Sequence, residues 1–352
     1  MSRRASPITS SFSKPESDAA PAAPPPPVKQ PPRLFVSRAI PQPALDLLNN
    51  AMPTLRIDIN TDERNLFGEE LVQRAKGSTA LISTLADNID REVLQALSPA
   101  LKVVATYAVG TNNIDLKAAR ELGIRVTNTP GVLTEATAEV AVALILACAR
   151  RVVEGDRATR AGKFTGWAPL YMRGRTVFGS TVGIIGAGRI GGTVARTMRA
   201  GFGCRILYHT TTPHPELDTE LHARQVSLDE LLELSDFVSI HCPLTDETRH
   251  LIGNNALSRM KPTAFLINTA RGPIVDEPAL VQMLRKNRIA GAGFDVYEHE
   301  PNLSPGLADL DNVVLLPHIG SATVETRDRM GLICAQSVLD VLAGKEPQNR
   351  VV

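Results

Sequence analysis

The chain alternates short apolar runs with amphipathic segments, and this alternation limits its possible folds more than any other feature. From Arg33 onward, RLFVSRAI, LRIDIN, TALIS, KVVATYAV and IRVTNT are typical of strands, and segments such as GEELVQRA and REVLQAL between them are typical of helices. Repeated βα units predict a parallel sheet that helices cover on both faces. The sequence therefore predicts an α/β domain that begins near residue 34.

A second series of runs begins at Thr181 with TVGII, CRILYH, DFVSIHC, TAFLIN, AGAGFDV and NVVLLPH. Six strands are the number in a complete dinucleotide-binding sheet. The helical segment after His318 has no strand left to form, so we expect it to return to the first domain. We predict an α/β protein with two Rossmann-like domains. A flavodoxin-like substrate domain would comprise residues 34–133 and 319–352, and a doubly wound dinucleotide-binding domain residues 134–318.

Two further segments have distinct compositions. Residues 1–33 contain PAAPPPPVKQPPR and no hydrophobic period, which predicts a disordered Pro-rich tail. Arg3, Arg4 and the serines also resemble a transit peptide, against which the acidic residues and the prolines argue. The segment TEATAEVAVALILACARRVVEGDRATRAG predicts one unbroken helix that connects the domains or forms a dimer surface. Its apolar part, Ala138 to Ala149, is too short to cross a bilayer.

Charge and cysteine content exclude several classes of function. The chain has 38 basic and 37 acidic residues, so its net charge of +1 gives no electrostatic reason to expect nucleic acid or anionic lipid as a partner. The four cysteines are far apart and lack CxxC spacing. This pattern predicts reduced thiols in the cytoplasm, with neither a disulfide framework nor a metal site.

A glycine-rich loop lies between the first strand of the second series and a helical segment. VGIIGAGRIGG places Gly186, Gly188 and Gly191 in GxGxxG spacing. In a dinucleotide site the first glycine makes a tight turn, the second lets backbone approach a pyrophosphate, and the third allows the helix to pack closely. The alternative is a structural turn, but the flanking strand and helix favour a dinucleotide site.

The choice of cofactor is expected to depend on the end of the next strand, in ILYHTTTPHPE. An NAD-specific site would have a carboxylate here, about 20 residues after the glycine loop, to bind the ribose 2′-hydroxyl. This chain instead has His209, Thr210, Thr211 and Thr212, and Arg189 follows the second loop glycine. These groups can accept a 2′-phosphate, so we expect NADPH to be preferred and NADH to be possible.

Three ionisable residues each follow a separate apolar run of the second series. They are Arg271 in INTARGPIVDE, Glu300 in YEHEP and His318 in LLPHIG. Because parallel strands end at one edge of a sheet, we expect these side chains to converge where α/β enzymes bind ligands. A cation, a carboxylate and an imidazole together can bind an anion and transfer a proton. Taken singly, each could equally be an ordinary surface residue.

The ordered motifs make the resemblance specific. VGTNNID, GVLTEATAEVAVAL, VGIIGAGRIGG, HCPLTDETRHLI, INTARGPIVDEPAL, GAGFDVYEHEP and PHIGSAT resemble those of the D-isomer-specific 2-hydroxyacid dehydrogenases over residues 34–350. Within that superfamily the chain is most similar to glyoxylate and hydroxypyruvate reductases, followed by 2-ketogluconate reductases. Trp167 in GWAP, the ILYHT segment and Ser321 in HIGSAT carry this narrower similarity.

The resemblance implies a role for each catalytic residue. Arg271 would bind the carboxylate of a 2-oxo acid, helped by the backbone N–H groups of Val109 and Gly110. His318 would donate a proton to the carbonyl oxygen, and Glu300 would stabilise the imidazolium. A glutamate rather than a glutamine beside the histidine separates this pattern from formate dehydrogenases and implies proton transfer.

The resemblance also implies contacts for the cofactor and for the substrate. Asp295 is expected near the nicotinamide carboxamide, or else as an ordinary turn residue. His241 would be a wall of the cofactor groove, and His299 a solvated or gating residue. The substrate pocket would include Leu85, Trp167, Met172 and Ser321, with Trp167 supplied by a second subunit in one interpretation. Further cofactor contacts are expected at Arg189, Ile190, Pro243, Thr269 and Ala270.

The resemblance therefore implies a cytoplasmic, homodimeric reductase of a small 2-oxo acid such as glyoxylate or hydroxypyruvate, with NADPH or NADH as the hydride donor. Two alternatives share the same motifs. One is reduction of a longer sugar acid such as 2-ketogluconate. The other is a cofactor-sensing protein related to transcriptional corepressors, for which the Pro-rich tail would be a partner-binding segment.

Overall fold

A computed structural model describes Met1, residues 31–62 and residues 64–352, and it contains two parallel sheets of five and seven strands. The expected two-sheet α/β architecture is confirmed. The predicted tail lies almost entirely outside the described residues, and Arg33, which we assigned to it, is the first residue of a strand. Among the described residues, no helix combines the length and apolar character that a membrane span requires.

The first sheet forms as the apolar runs predict. Its strands are β1 (Arg33–Val36), β2 (Arg56–Ile59), β3 (Ala80–Ser83), β4 (Val103–Thr106) and β5 (Arg125–Thr127). They are parallel in the order β2-β1-β3-β4-β5, which is the flavodoxin-like order. The helices between them are α1 (Gln42–Ala51), α2 (Gly68–Ala75), α3 (Arg91–Leu97) and α4 (Leu116–Glu121). The carboxylates of Asp90 and Asp115 accept backbone N–H groups and fix the starts of α3 and α4.

The second sheet has one strand more than predicted. The six apolar runs form β6 (Thr181–Ile185), β7 (Arg205–His209), β9 (Phe237–Ile240), β10 (Phe265–Asn268), β11 (Gly291–Phe294) and β12 (Val313–Leu315). The seventh strand, β8 (Arg224–Gln225), is two exposed polar residues at the edge of the sheet, so no hydrophobic pattern marks it. The order is β12-β11-β10-β9-β6-β7-β8, and all pairs are parallel.

Helices cover the second sheet and link its strands. They are α5 (Thr134–Ala149), α6 (Val152–Arg160), α7 (Arg189–Phe202), α8 (Pro215–Leu221), α9 (Leu228–Leu234), α10 (Asn254–Arg259) and α11 (Glu277–Arg285), followed by the last helix, α12 (Val324–Leu342). One 3₁₀ turn, Gly272–Ile274, follows β10. The strand order reverses between β9, β6 and β7, so the carboxyl ends of these strands border a crevice of the kind that binds dinucleotides.

The prediction of one unbroken connector helix is wrong. The carbonyl of Ala149 accepts a hydrogen bond from the backbone N–H of Arg175 (2.7 Å) instead of continuing the helical ladder. Arg151 then adopts a left-handed backbone with φ 55° before α6 begins, and its guanidinium binds Glu154 (2.6 and 2.7 Å). The apolar part is a buried helix, as expected, because α5 packs on α7 and on β10, β11 and β12.

The last helix returns to the first sheet, as predicted. α12 packs along α1 and over β4, and Met330, Cys334 and Val338 join the core of that sheet. Gly331 lets the two helices approach closely, since a Cβ there would lie 3.0 Å from that of Ala44. The domain boundary drawn at residue 134 stays a prediction.

Candidate active site

Loops at the carboxyl ends of both sheets enclose a cavity of about 1120 Å³, which we call the main cavity. Its walls include residues that follow β3, β4, β6, β9, β10, β11 and β12, as the parallel topology requires. Eleven of the predicted site residues line it, namely Leu85, Val109, Gly110, Ile190, Pro243, Thr269, Ala270, Arg271, Asp295, His318 and Ser321.

The three loop glycines meet different surroundings. Gly186 has φ 90°, and a Cβ there would lie 2.5 Å from the backbone N of Cys242. A Cβ at Gly191 would overlap the carbonyl oxygen of Gly186. A Cβ at Gly188 would meet no heavy atom within 4 Å. The first and third glycines are therefore required by the protein's own packing, whereas the second faces open space.

That open space lies at the amino end of α7, a helix of 14 residues. The first turn of α7 contains no acidic residue, and no side chain caps its amino end. Free N–H groups at a helix amino terminus bind phosphate through hydrogen bonds and through the helix dipole. The glycine loop and α7 thus fit the pyrophosphate of a dinucleotide.

The loop after β7 is held by bonds that leave its side-chain hydroxyls available. His209 Nδ1 contacts the carbonyl of Val226 (3.2 Å), and the Gln225 amide donates to the carbonyl of Thr210 (3.2 Å). Thr211 is exposed, and so is Arg189 at the start of α7. No carboxylate occurs from residue 209 to residue 212, so this edge offers donors rather than a negative charge.

Arg271 lies where β10 ends, against the first sheet. Its Nη1 donates to the carbonyl of Ala270 (2.7 Å), and its Nε donates to Asn112 Oδ1 (3.1 Å) in the loop after β4. A Cβ at Gly110 would overlap Nη2, so any larger residue there would displace the guanidinium from this position. Burial lowers the pKa of Arg271, and the charge of Glu300 opposes that fall.

Gly272 brings the arginine loop against the loop that bears Glu300. A Cβ at Gly272 would overlap the backbone of Tyr297 and Glu298. The absence of a side chain therefore allows two backbone segments to pack directly together. This contact fixes the spacing between Arg271 and the Glu300 loop.

His318 and Glu300 form a hydrogen-bonded pair. His318 Nδ1 lies 2.8 Å from Glu300 Oε2, and Glu300 Oε1 accepts the backbone N–H of Tyr297 (3.0 Å). Because Nδ1 donates to a carboxylate, Nε2 is the ring nitrogen left to exchange a proton. His318 lines the main cavity, and Glu300 lies behind it. His318 also holds a left-handed backbone with φ 55°, a strained conformation that is concentrated at functional sites.

The environment of Glu300 favours its ionised form. Burial acts to raise the pKa of Glu300, but the hydrogen bond from His318 and the charge of that ring outweigh it. The charge of Arg271 acts in the same direction, and the pKa of Glu300 lies below its ordinary value. The carboxylate of the pair therefore stays negative at neutral pH and accepts the hydrogen bond from His318 Nδ1.

Asp295 is buried and anchors the segment that follows His318. Its two carboxylate oxygens accept the backbone N–H groups of Ile319 and Gly320, each at 2.7 Å. Burial raises the pKa of Asp295, against the effect of these hydrogen bonds and of the nearby His318. Asp295 thus positions the His318 loop, and a contact with the nicotinamide carboxamide stays a prediction.

The two other histidines of the sequence analysis differ in burial. His241 lines the main cavity, and its Nε2 lies 2.8 Å from the hydroxyl of Ser239. Burial lowers the pKa of His241 to about 3, so this ring is neutral at physiological pH. His299 is exposed and does not line the main cavity. Neither residue meets the geometry of the His318–Glu300 pair.

Trp167 and Met172 are not brought to the main cavity by this chain. Trp167 is 86% exposed on the loop between α6 and β6, and Met172 lies on the same loop with φ 50°. Sequence reasoning missed several residues that border the cavity, among them Asn112 and Arg327. Asn112 follows a predicted strand in VGTNN, and this position was the only sequence signal that could have placed it at the site. Arg327 has no such signal, because in the sequence it looks like an ordinary helical arginine.

Comparisons with known proteins agree with this geometry. The family model for the "D-isomer specific 2-hydroxyacid dehydrogenase, NAD binding domain" matches residues 142–320. A glyoxylate reductase of Korarchaeum cryptofilum is 49% identical over 323 residues, which cover 91% of this chain and 96% of the relative. The TT0316 protein from Thermus thermophilus is 47% identical, and the match has a TM-score of 0.83 and covers 91% of this chain and all of that one. A glyoxylate reductase from Paecilomyes thermophila is 32% identical with a TM-score of 0.80, over 91% of this chain and 98% of that one.

The chain belongs to the D-isomer specific 2-hydroxyacid dehydrogenase family. It is an NAD(P)-dependent oxidoreductase that interconverts 2-oxo acids and D-2-hydroxy acids, as the motifs and the cavity predict. The expectation of an enzyme is thereby confirmed.

Proposed function

We propose that this enzyme reduces glyoxylate and hydroxypyruvate to the corresponding 2-hydroxy acids, with NADPH preferred over NADH. The observation that carries the proposal is the convergence of a partly buried arginine and a His–Glu pair at one cavity, with a glycine loop at the same sheet edge. The glyoxylate reductase relatives support the choice of substrate.

Arg271 would bind the substrate carboxylate. Its Nε and one N–H group of Nη1 are occupied by Asn112 and by its own loop, so the N–H groups of Nη2 and the second one of Nη1 are left for the substrate. Asn112 is neutral, and it orients the guanidinium without cancelling its charge. The backbone N–H groups at Val109 and Gly110 would complete the carboxylate site, because Gly110 packs directly against the guanidinium.

His318 would act as the general acid in reduction and as the general base in the reverse direction. Its Nε2 would donate to the carbonyl oxygen, so that the alkoxide does not develop a full charge. Glu300 would hold Nδ1 protonated and stabilise the imidazolium through the 2.8 Å contact. Asp295 would act indirectly, by fixing Ile319 and Gly320 and with them the backbone of His318.

The cofactor, when bound, supplies a hydride to the carbonyl carbon. Gly186, Gly188 and Gly191 would hold its pyrophosphate at the amino end of α7. His209, Thr210, Thr211 and Arg189 would bind a 2′-phosphate, and the lack of a carboxylate in this loop removes the repulsion that would select against NADPH. Thr269 and Ala270 would contact the nicotinamide half. A ratio of kcat/KM for NADPH over NADH below one would contradict the preference.

We also propose a homodimer in the cytoplasm. Phe164, Trp167, Leu170 and Tyr171 form an exposed apolar stretch on the loop between α6 and β6. Exposed apolar stretches of this kind mark protein interfaces, and a second copy that covers this loop would bring its Trp167 near the substrate site. Light scattering on the purified full chain should give the mass of two chains. The mass of one chain would contradict the homodimer.

One experiment tests the main proposal. Initial rates with glyoxylate, hydroxypyruvate, 2-ketogluconate and pyruvate, each with NADPH and NADH, are expected to be highest for the first two substrates. His318→Gln is expected to lose about 10² to 10⁴ in turnover, the usual value of general acid catalysis. Turnover within about tenfold of the wild type would refute the role of His318.

A second candidate function is reduction of 2-ketogluconate. A cavity of about 780 Å³, which we call the side cavity, adjoins His318 on the side of Glu300, and Arg38, Asn65 and Asp328 line it. These polar groups could bind the hydroxyl groups of a longer chain. A kcat/KM for 2-ketogluconate above that for hydroxypyruvate would favour this candidate.

A further inference from the structure

A second arginine borders the catalytic histidine. Arg327 lies in the first turn of α12, and it is partly buried. Its Nε donates to the carbonyl of Ser321 (3.2 Å), three residues after His318. Its own carbonyl accepts a hydrogen bond from the Tyr107 hydroxyl. Hydrogen bonds therefore fix both the backbone carbonyl and the Nε atom of Arg327.

The guanidinium of Arg327 has no carboxylate partner in the part of the chain that the structure describes. Within residues 31–62 and 64–352, no Asp or Glu lies within 4 Å of its guanidinium. Some exposed arginines of the same structure are paired, as Arg196 is with Glu220 at 2.9 Å. A partly buried, unpaired cation is costly unless a ligand or water completes its hydrogen bonds.

Arg327 and Arg271 line different parts of the site. Arg271 lines only the main cavity, whereas Arg327 lines both the main cavity and the side cavity. His318, Leu85 and Tyr107 are likewise shared by the two cavities. Arg327 thus lies where the two cavities meet, together with His318.

We infer that Arg327 binds an oxygen on C3 of the 2-oxo acid and so selects hydroxypyruvate over substrates with an apolar C3 group. This inference rests on the proposed function. With the carboxylate at Arg271 and the carbonyl oxygen at His318, the C3 substituent extends from C2 towards the junction of the cavities. A guanidinium has only donors, so it requires an acceptor there, and a methyl group would leave its charge unsolvated.

Glyoxylate has no C3, so its reduction does not use this contact. Hydroxypyruvate has a C3 hydroxyl, and 2-oxobutyrate carries a methyl group at the same place. Rates with these three substrates therefore distinguish a hydrogen bond between Arg327 and the C3 oxygen from a purely structural role of Arg327. Loss of a hydrogen bond to a charged donor costs about 10- to 100-fold in binding.

The test compares Arg327→Met, Arg327→Lys and the control Arg329→Met with the wild type. Arg329 lies two residues further along α12 and is exposed. Arg327→Met is expected to lower kcat/KM for hydroxypyruvate by about 10- to 100-fold. Its kcat/KM for glyoxylate should stay within about threefold of the wild type, so the preference for hydroxypyruvate over 2-oxobutyrate narrows. Arg327→Lys should restore part of the preference, and Arg329→Met should leave all three rates unchanged.

Several results would overturn the inference. Equal losses on all three substrates, together with a lower Tm, would show that Arg327 only supports the loop after His318. A wild-type enzyme that reduces hydroxypyruvate no better than 2-oxobutyrate would also refute it. A wild-type enzyme that reduces none of the three would refute the proposed function itself, and the inference would fall with it.

Discussion

Replacement of Glu300 by glutamine tests the His318 pair most directly, because it removes the charge and keeps the shape. Glu300 accepts two hydrogen bonds, one from His318 Nδ1 at 2.8 Å and one from the Tyr297 N–H at 3.0 Å. A glutamine has one acceptor oxygen and one donor NH₂ group. Whichever way the amide turns, its NH₂ group faces either the Nδ1–H of His318 or the backbone N–H of Tyr297. The protonated ring is therefore destabilised.

The size of the effect follows from the exposure of the pair. A hydrogen bond to a charged group contributes about 1.5 to 3 kcal/mol, and a neutral one about 0.5 to 1.5 kcal/mol. The His318 and Glu300 side chains are 25% and 30% exposed, so we avoid the upper end and take a difference of about 1.4 kcal/mol, near the middle of the roughly 0 to 2.5 kcal/mol that these values allow. This corresponds to about one pH unit. In the proposed mechanism reduction uses the protonated ring, so the decline of kcat/KM at alkaline pH should begin about one unit lower in Glu300→Gln.

The assay is the initial rate of glyoxylate reduction from about pH 5.5 to 9. Glu298→Gln is a matched control, because Glu298 Oε1 also binds a histidine, His250 Nε2 at 2.6 Å, but does not line the main cavity. The control should keep the wild-type pH profile. A Glu300→Gln profile that falls uniformly with no shift, or that shifts to higher pH, would refute the reasoning.

Three further predictions concern the glycine loop, the loop contact and the thiols. Gly188→Ala should weaken cofactor binding by roughly tenfold or more with an unchanged Tm, whereas Gly191→Ala should lower the Tm. Fluorescence titration with NADPH measures the change in binding, and thermal unfolding measures the change in Tm. Gly272→Ala should destabilise the fold by about 1 to 3 kcal/mol in urea unfolding, since it forces backbone segments apart, whereas Gly201→Ala on the exposed side of α7 should stabilise it by about 0.4 to 1 kcal/mol. Burial raises the pKa of Cys242 to about 11, so at pH 8 this thiol should react with a disulfide reagent roughly 100-fold more slowly than a free thiol, and rapid labelling of the native enzyme would contradict the structure.

The sequence predicted the parts of the fold that burial determines. Strands buried on both faces are apolar throughout, which made most of the strands of both sheets recognisable. The more exposed edge strand β2 was recognisable by the alternation of charged and apolar residues in RIDI. β8 was missed because its two residues are exposed and polar. The break at Arg151 was missed because a backbone bond from Arg175 ends α5, and no local residue such as proline or glycine marks that position.

The residues of the candidate site likewise fall into those that the sequence predicted and those that it did not. Arg271, Glu300 and His318 were predictable because each follows its own strand, and parallel strands end at one edge. Asn112 and Arg327 were not, because their importance depends on contacts with residues 159 and 6 positions away, respectively. Such pairings have no fixed spacing, and only the folded chain brings them together.

The return of α12 to the first sheet has a consequence for biosynthesis. Residues 134–318 form one continuous stretch, so the second sheet can complete its core as soon as that stretch has left the ribosome. The first sheet is synthesised earlier but must wait, because Met330, Cys334 and Val338 of α12 complete the core that contains Leu34 and Val103. Until then its apolar face stays open, and this interval is when a nascent chain would most need a chaperone.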